Sequence, residues 1–129
     1  MALIDKEQEI FNAVATALRT NFKGIYVIGA EMSPSPPHFP AVSFVQTNNA
    51  VVNEHSTFSS LENVVSEDYK AEVFSNLQQG KEAQTKEITK VISDVMSNFY
   101  YERTFCEIVP NTDVTISRRM TRYRKNNVI

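Results

Sequence analysis

The chain contains little of what would tie it to a disulfide, a metal or a membrane. Its single cysteine, Cys106, excludes a disulfide within the chain and a cysteine-rich zinc site. Apolar runs are only a few residues long, against the roughly 20 needed to span a bilayer. The first residues show no basic region followed by an apolar one, so we expect no signal peptide. With 129 residues, 42% of them hydrophobic and 22% charged, we expect one globular domain over residues 1–129.

Motifs for catalysis or cofactor binding are also missing from the sequence. Three glycines cannot form a dinucleotide fingerprint, and there is neither a phosphate-binding loop nor a Gly-x-Ser-x-Gly motif. His38 and His55 lack the spacing of a metal site. A nucleophilic pair of Cys106 with His55 is an alternative, but a cysteine inside a predicted strand usually acts as a small buried apolar residue. We therefore expect no enzyme activity, no metal and no cofactor.

Hydrophobic periodicity predicts two helices and five strands. Apolar residues spaced three and four apart predict helices over 5–22 and 81–98. Alternating or β-branched runs predict strands over 25–28, 41–46, 64–75, 103–109 and 114–124. The turn-rich residues 110–113 predict that the last two strands form an antiparallel hairpin. The fold class is therefore α+β, a mostly antiparallel sheet of about five strands packed with two helices in the order αβββαββ.

Two segments between these elements are predicted to be loops. Residues 33–40 contain four of the five prolines, which excludes a helix or an inner strand. Pro34 and Pro37 fit a PxxP ligand pattern, although an ordered surface loop is the simpler interpretation. Residues 47–61 are mostly polar and predict a long, flexible loop, a feature that is usually functional or mobile in a small domain.

Charge is distributed unevenly along the chain. The net charge is −2, yet residues 118–125 hold five of the 13 basic side chains and no acidic one. The rest of the chain has 8 basic and 15 acidic residues, a net charge of −7. This asymmetry suits head-to-tail contact between copies, a basic arm on a polyanion, or simply a solvated last strand. A small nucleic-acid-binding protein using the basic segment is therefore the alternative function, although the acidic remainder would repel DNA.

The last predicted strand contains an inconsistency. Strict alternation puts Arg118 and Arg122 on the same face as the apolar Val114 and Ile116. Either a bulge resets the register, or this end of the strand leaves the core and meets something polar. In the strand 64–75, alternation predicts that Tyr69, Ala71 and Val73 face the core, whereas Asp68, Lys70 and Glu72 face outward.

An ordered combination of motifs carries a family resemblance over about residues 40–125. The series begins with Phe39-Pro40-Ala41-Val42-Ser43-Phe44, followed by Asn48-Asn49. A predicted helix then opens at Gly80-Lys81 and carries Ile88, Ile92 and Met96. The series ends with three runs: Arg103-Thr104-Phe105, Val109-Pro110-Asn111-Thr112-Asp113 and Ile116-Ser117-Arg118-Arg119-Met120-Thr121-Arg122-Tyr123. This series resembles the tail terminator, or tail completion, proteins of long-tailed bacteriophages, often labelled minor capsid or head–tail connector proteins. A Tyr100-Tyr101 pair stands where that family commonly has a glycine turn.

The resemblance implies a structural role in the virion. Such proteins form a hexameric ring at the head-proximal end of the tail tube, which ends tube polymerisation and presents a surface to the head-completion protein. The implied partners are further copies of the chain, the tail tube protein, the head-completion or connector protein, and genomic DNA passing through the lumen, with no membrane. The implied location is the tail or neck of the virion, assembled in the cytoplasm of the bacterial host.

Under this interpretation the basic segment pairs with acids of an adjacent subunit or of a partner ring. The predicted acids are Glu67, Asp68 and Glu72, placed on the outward face of their strand, and the predicted aromatic anchors are Tyr123 and Phe58. The candidate interface is therefore Arg118, Arg119, Arg122, Tyr123, Arg124, Glu67, Asp68, Glu72 and Phe58.

Overall fold

In the computed structural model, which describes residues 6–51 and 64–128, two helices pack on one five-stranded sheet. The elements are α1 (Glu7–Asn21), β1 (Tyr26–Ile28), β2 (Ala41–Val51), β3 (Val64–Ser75), α2 (Lys81–Asn98), β4 (Glu102–Val109) and β5 (Ser117–Val128). This is the α+β fold, and the αβββαββ order, that the sequence predicts.

The strands lie in the order β1-β2-β3-β5-β4 across the sheet. All neighbouring pairs are antiparallel except β1 and β2, which are parallel. The predicted hairpin of β4 and β5 is confirmed. Within the described residues, the three-residue β1 and the eight-residue β4 are the two edges of the sheet, so the two edges differ in length and in neighbours.

One face of the sheet, the helix face, carries the main core. The apolar stripes of α1 and α2 pack against alternate residues of β2, β3 and β5, as their periodicity requires. The central β3 supplies Tyr69, Ala71 and Val73, as predicted. The most deeply buried helix residues of this core are Ile10, Val14, Leu18, Ile88, Ile92 and Met96. Burial of this kind stabilises the fold by roughly 2 kcal/mol for each large side chain.

The opposite face of the sheet is covered at one end by the proline-rich loop. Phe39 of this loop, and Met32 just before it, pack against a small cluster around Phe74 and Ile116. The hydroxyl of Ser43 donates to the carbonyl oxygen of Ala30 over 2.6 Å, which ties the start of the loop to β2. The segment is thus a packed surface loop, in keeping with the simpler of its two interpretations.

The predicted flexible loop at 47–61 is wrong for its first five residues, which continue β2. A register shift between Gln46 and Asn48 lets the strand pass Thr47 and resume its pairing with β3. The side chains of Thr47 and Asn48 then bond to the carbonyl and the carboxylate of Asp68. Cross-strand bonds of this kind make polar residues compatible with a strand. The remainder of the prediction, residues 52–61, lies outside the described residues.

The last strand begins later than predicted, at Ser117 rather than at 114. Val114 is 86% exposed and belongs to a turn. The Asp113 carboxylate accepts bonds from the backbone and the hydroxyl of Thr115, an arrangement that holds a turn rather than a strand. These bonds lower the pKa of Asp113.

Candidate subunit interface

The predicted interface residues do not share one surface. Side chains alternate along β3 and β5, so even-numbered residues of both strands lie on the face opposite the helices. We call this the charged face, made of Asp68, Lys70 and Glu72 from β3 with Arg118, Arg122 and Arg124 from β5. The odd-numbered Glu67, Arg119 and Tyr123 lie on the helix face.

Glu72 is the centre of the charged face and is buried, with only 1% of its side chain exposed. Its carboxylate is paired with the guanidinium of Arg118 on β5 and lies 3.2 Å from Nζ of Lys70. Nζ of Lys70 in turn lies 2.7 Å from a carboxylate oxygen of Glu31, which precedes the proline-rich loop. The expectation that Glu72 points outward to a neighbour is therefore corrected: it faces away from the helices, but Arg118 and Lys70 of its own chain enclose it.

The same contact resolves the inconsistency in the last strand. Arg118 lies with its guanidinium 5.5 Å from the ring centre of Phe74, and it reaches Glu72 across the β3–β5 pair. The pairing of β5 with β3 is continuous, with no bulge. An arginine can therefore occupy the apolar side of this strand because its planar head stacks on an aromatic ring and finds a buried carboxylate. The bulge alternative is therefore wrong for the β3–β5 pair, and of the second alternative only the polar contact holds, because Arg118 stays on the apolar side of the strand.

A second intrachain pair lies at the far end of the charged face. Arg124 donates two hydrogen bonds to Asp68, one of them at 2.7 Å. This pair is more open to water, with 57% of the Arg124 side chain exposed. The bonds to Asp68 raise the pKa of Arg124. Both predicted acids of this face therefore have arginine partners within the chain.

Glu67 lies on the helix face, not on the outward face, because it is odd-numbered in β3. It is 2% exposed and hydrogen-bonded to Tyr101, the residue that follows the turn after α2. Burial, followed by the proximity of Tyr69 and Glu67, raises the pKa of Tyr101 far above its ordinary value. Glu67 is thus part of the protein interior and not of an exposed acidic patch.

Tyr123 belongs to the core, which corrects its prediction as an interface anchor. It is 1% exposed, opposite Tyr69 in the β3–β5 pair. Its hydroxyl is 2.8 Å from the hydroxyl of Ser93 on α2. Burial raises the pKa of Tyr123 to about 12, and the bond to Ser93 partly opposes that shift. The other predicted anchor, Phe58, lies outside the described residues.

The remaining basic residues of 118–125 point in different directions. Arg119 lies on the helix face, where its Nε donates to the hydroxyl of Thr85 over 3.4 Å. Arg122 is exposed on the charged face. Lys125 lies over the rings of Tyr100 and Tyr101 at 5.7 and 5.6 Å. The run of five cations in the sequence is therefore not one basic surface in the fold.

A groove beside α2 is a concave feature that the sequence does not predict. It has a volume of about 530 Å³ and lies between α2 and the strands β4 and β5. We call it the α2–β4 groove; its lining is Ala83, Lys86, Glu87, Thr89, Lys90, Ser93, Asp94, Arg103, Cys106 and Arg119. It exists because two helices are too few to cover five strands. The only sequence feature that indicates such a groove is the prediction of two helices for five strands, because two helices leave part of the sheet uncovered.

Cys106 lines this groove and is partly exposed, so its predicted role as a buried apolar residue is wrong. The hydroxyl of Thr121 donates to its sulfur over 3.8 Å, a weak bond. His38, the described member of the histidine pair, lies beside the ring of Tyr26, at the opposite edge of the sheet. The geometry of the described residues therefore supplies Cys106 with no histidine base, while His55 lies outside them.

Comparison with known proteins leaves the family resemblance as a proposal. No protein-family model matches the chain, and no curated protein matches it significantly. In the described part of the chain, no group of three or more His, Cys, Asp or Glu side chains is placed to hold a metal ion. Neither of the two described helices combines the length and hydropathy that a membrane span requires.

Proposed function

We propose that this protein is a structural subunit of a bacteriophage tail, which forms a ring at the head-proximal end of the tail tube. The ring ends tube polymerisation and joins the tail to the head-completion protein. The observation that carries the proposal is the agreement of two independent lines. The motif series resembles tail terminator proteins, and the fold implied by that resemblance, an antiparallel sheet packed with two helices, is the fold of this chain.

The geometry of the sheet supports assembly into a ring. The two edges of the sheet are different surfaces: β1 is short and parallel to its neighbour, whereas β4 is eight residues long and has its outer side open within the described residues. Two different edges favour a head-to-tail contact, in which each copy uses both surfaces. Such a contact produces a closed ring when the rotation that relates one copy to the next is a whole fraction of 360°.

The placement of the cations weighs against nucleic-acid binding as the main function. Arg118 and Arg124 are paired with carboxylates of their own chain, and Arg119 lies on the opposite face of the sheet. Binding to a phosphate backbone requires several cations on one accessible surface. Genomic DNA is then a molecule that passes through the ring, and the acidic balance of the rest of the chain suits passage without tight binding.

Deletion of the gene in the phage that carries it tests this function. The proposal predicts particles whose tails have irregular length and are not joined to filled heads, as seen by negative-stain electron microscopy. Supplying the wild-type chain from a plasmid should restore normal particles. Tails of normal length attached to filled heads in the deletion strain would refute the proposal.

A further inference from the structure

The α2–β4 groove contains polar groups whose bonding capacity is unused within the described residues. Among the described residues, the hydroxyl of Thr89 has no hydrogen-bond partner although the residue is only 3% exposed. Arg119 is half-buried and has no carboxylate partner in the described part of the chain. Its one bond is to Thr85, which lies one helical turn from Thr89 on α2. A buried donor without a partner costs about 1–3 kcal/mol, so an incoming acceptor would remove that cost.

The groove is positively charged against an acidic chain. Its lining holds four cations and two carboxylates, a net charge of +2. Since the whole chain has a net charge of −2, the remainder carries −4. A carboxylate is the acceptor that suits both an unpaired guanidinium and an unpaired hydroxyl. The charges thus favour an acidic protein surface, and other copies of this chain present one.

An exposed acidic surface lies at the start of α1, which packs on a different part of the sheet from the groove. The first turn of α1 holds Glu7 and Glu9, both exposed. This end of α1 lies over β2 and beside β1 and β3, because Phe11 packs against Gly29 and the two line a pocket with Phe44 and Tyr69. The groove, by contrast, adjoins the β4 edge. The acidic and basic surfaces are therefore two different surfaces of the subunit, as a head-to-tail contact requires.

We propose that the α2–β4 groove of one copy receives the acidic start of α1 of a second copy. The contact places a carboxylate of α1 against Arg119 and the hydroxyl of Thr89, with Lys86 and Lys90 at the rim. It also continues the helical layer over β4, the strand that the two helices leave bare. This inference rests on the proposed ring and assigns the surfaces that build it.

The single cysteine of the chain reports directly on occupation of the groove. Cys106 is partly exposed and lines the groove, so a thiol reagent reaches it when the groove is empty. We predict that its rate of reaction with Ellman's reagent falls several-fold as protein concentration rises through the range in which sedimentation velocity shows self-association. This measurement uses the wild-type chain and requires no variant to fold.

Charge reversal at the two surfaces supplies the specific test. Lys90→Glu in the groove and Glu9→Lys on α1 are both exposed substitutions, so each should fold normally by circular dichroism. Each should weaken self-association about tenfold, which corresponds to about 1.4 kcal/mol. The double variant should recover most of the loss. The matched control is Lys23→Glu, an exposed lysine outside the groove, which should associate like the wild type.

The outcomes separate this inference from the proposed function. Self-association with an unchanged rate at Cys106, or with equal loss in Lys90→Glu and Lys23→Glu, would overturn the groove contact and leave the ring intact through another surface. A wild-type chain that does not self-associate at any concentration would also overturn the groove contact, whereas the ring itself is tested by adding the tail tube protein. A double variant weaker than both single variants would show that these two charges do not meet.

Discussion

The buried carboxylate of Glu72 should contribute far more to stability than the partly exposed carboxylate of Asp68, whose arginine partner is open to water. Glu72 is 1% exposed and pairs with Arg118 and Lys70, whose side chains are 23% and 13% exposed. Removing one partner of a buried ion pair costs about 3–5 kcal/mol, because the remaining charge stays desolvated. In Glu72→Ala, Lys70 keeps its contact with Glu31, and both cations are partly exposed to water. We therefore expect Glu72→Ala to lower the free energy of unfolding by about 3 kcal/mol, the lower end of that range.

Asp68→Ala is the matched control for this prediction. It also removes a carboxylate from β3 that pairs with an arginine of β5. Its partner Arg124 is 57% exposed, so the expected cost is only about 0.5 kcal/mol. Urea denaturation followed by circular dichroism gives both values from the midpoint at constant slope. In a thermal scan the difference should be on the order of 10 °C for a domain of this size.

The double variant of Glu72→Ala with Arg118→Ala completes the test. Because the two residues share one contact, their combined cost should be smaller than the sum of the single costs. Equal destabilisation by Glu72→Ala and Asp68→Ala, or strict additivity in the double variant, would refute the view that the charged face is closed within the chain.

Three further predictions follow from local geometry. Tyr100 is 80% exposed and has a φ of 67°, a left-handed conformation that glycine adopts without strain. Tyr100→Gly should therefore raise the free energy of unfolding, measured by urea denaturation, by about 1 kcal/mol. A lower free energy of unfolding would show that the ring contact with Lys125 outweighs the backbone strain. An unfolded tyrosine loses its proton near pH 10, whereas folded Tyr123 has a pKa of about 12, so the free energy of unfolding should fall as pH rises from about 10 to about 12. Tyr123→Phe should make that decline shallower, and an unchanged slope would contradict the raised pKa of Tyr123. At neutral pH, Tyr123→Phe should cost about 1 kcal/mol through its lost bond to Ser93, and a neutral effect would contradict the value of that bond.

The sequence predicted the elements of the fold because their periodicities are long and regular. The stripe of α2 and the alternation of β3 each extend over three or more repeats, and both elements have the predicted bounds. The limits of β2 and β5 were wrong because cross-strand partners set them. Thr47 and Asn48 look like loop residues until Asp68 is beside them, and Val114 looks like a strand residue until Asp113 closes a turn.

The end of α2 shows how a backbone conformation can override residue preference. The amides of Tyr100 and Tyr101 bond to the carbonyls of Ser97 and Met96, which is the Schellman arrangement. Glycine is the usual residue in the left-handed position, and Tyr100 holds it here. The sequence marked the Tyr100-Tyr101 pair only as a departure from a glycine turn, and the structure shows that the chain turns there with Tyr100 left-handed.

The candidate interface was harder to predict than the fold. Sequence alternation separates the two faces of a strand, but it cannot tell whether a face meets water, a loop or a partner. Arg118 and Lys70 enclose Glu72, and α2 covers Tyr123, so these two residues, like Glu67, are interior although they were expected at an interface. The α2–β4 groove depends on the relative positions of helices and strands far apart in the chain, which no local pattern encodes.

Native mass spectrometry of the purified chain, alone and mixed with the tail tube protein of its phage, tests the proposed ring most directly. The account predicts a closed oligomer, a hexamer of about 88 kDa for a chain of 14.6 kDa, either on its own or once tube protein is added. A species that stays at the mass of one chain in both samples, with folding intact by circular dichroism, would contradict it.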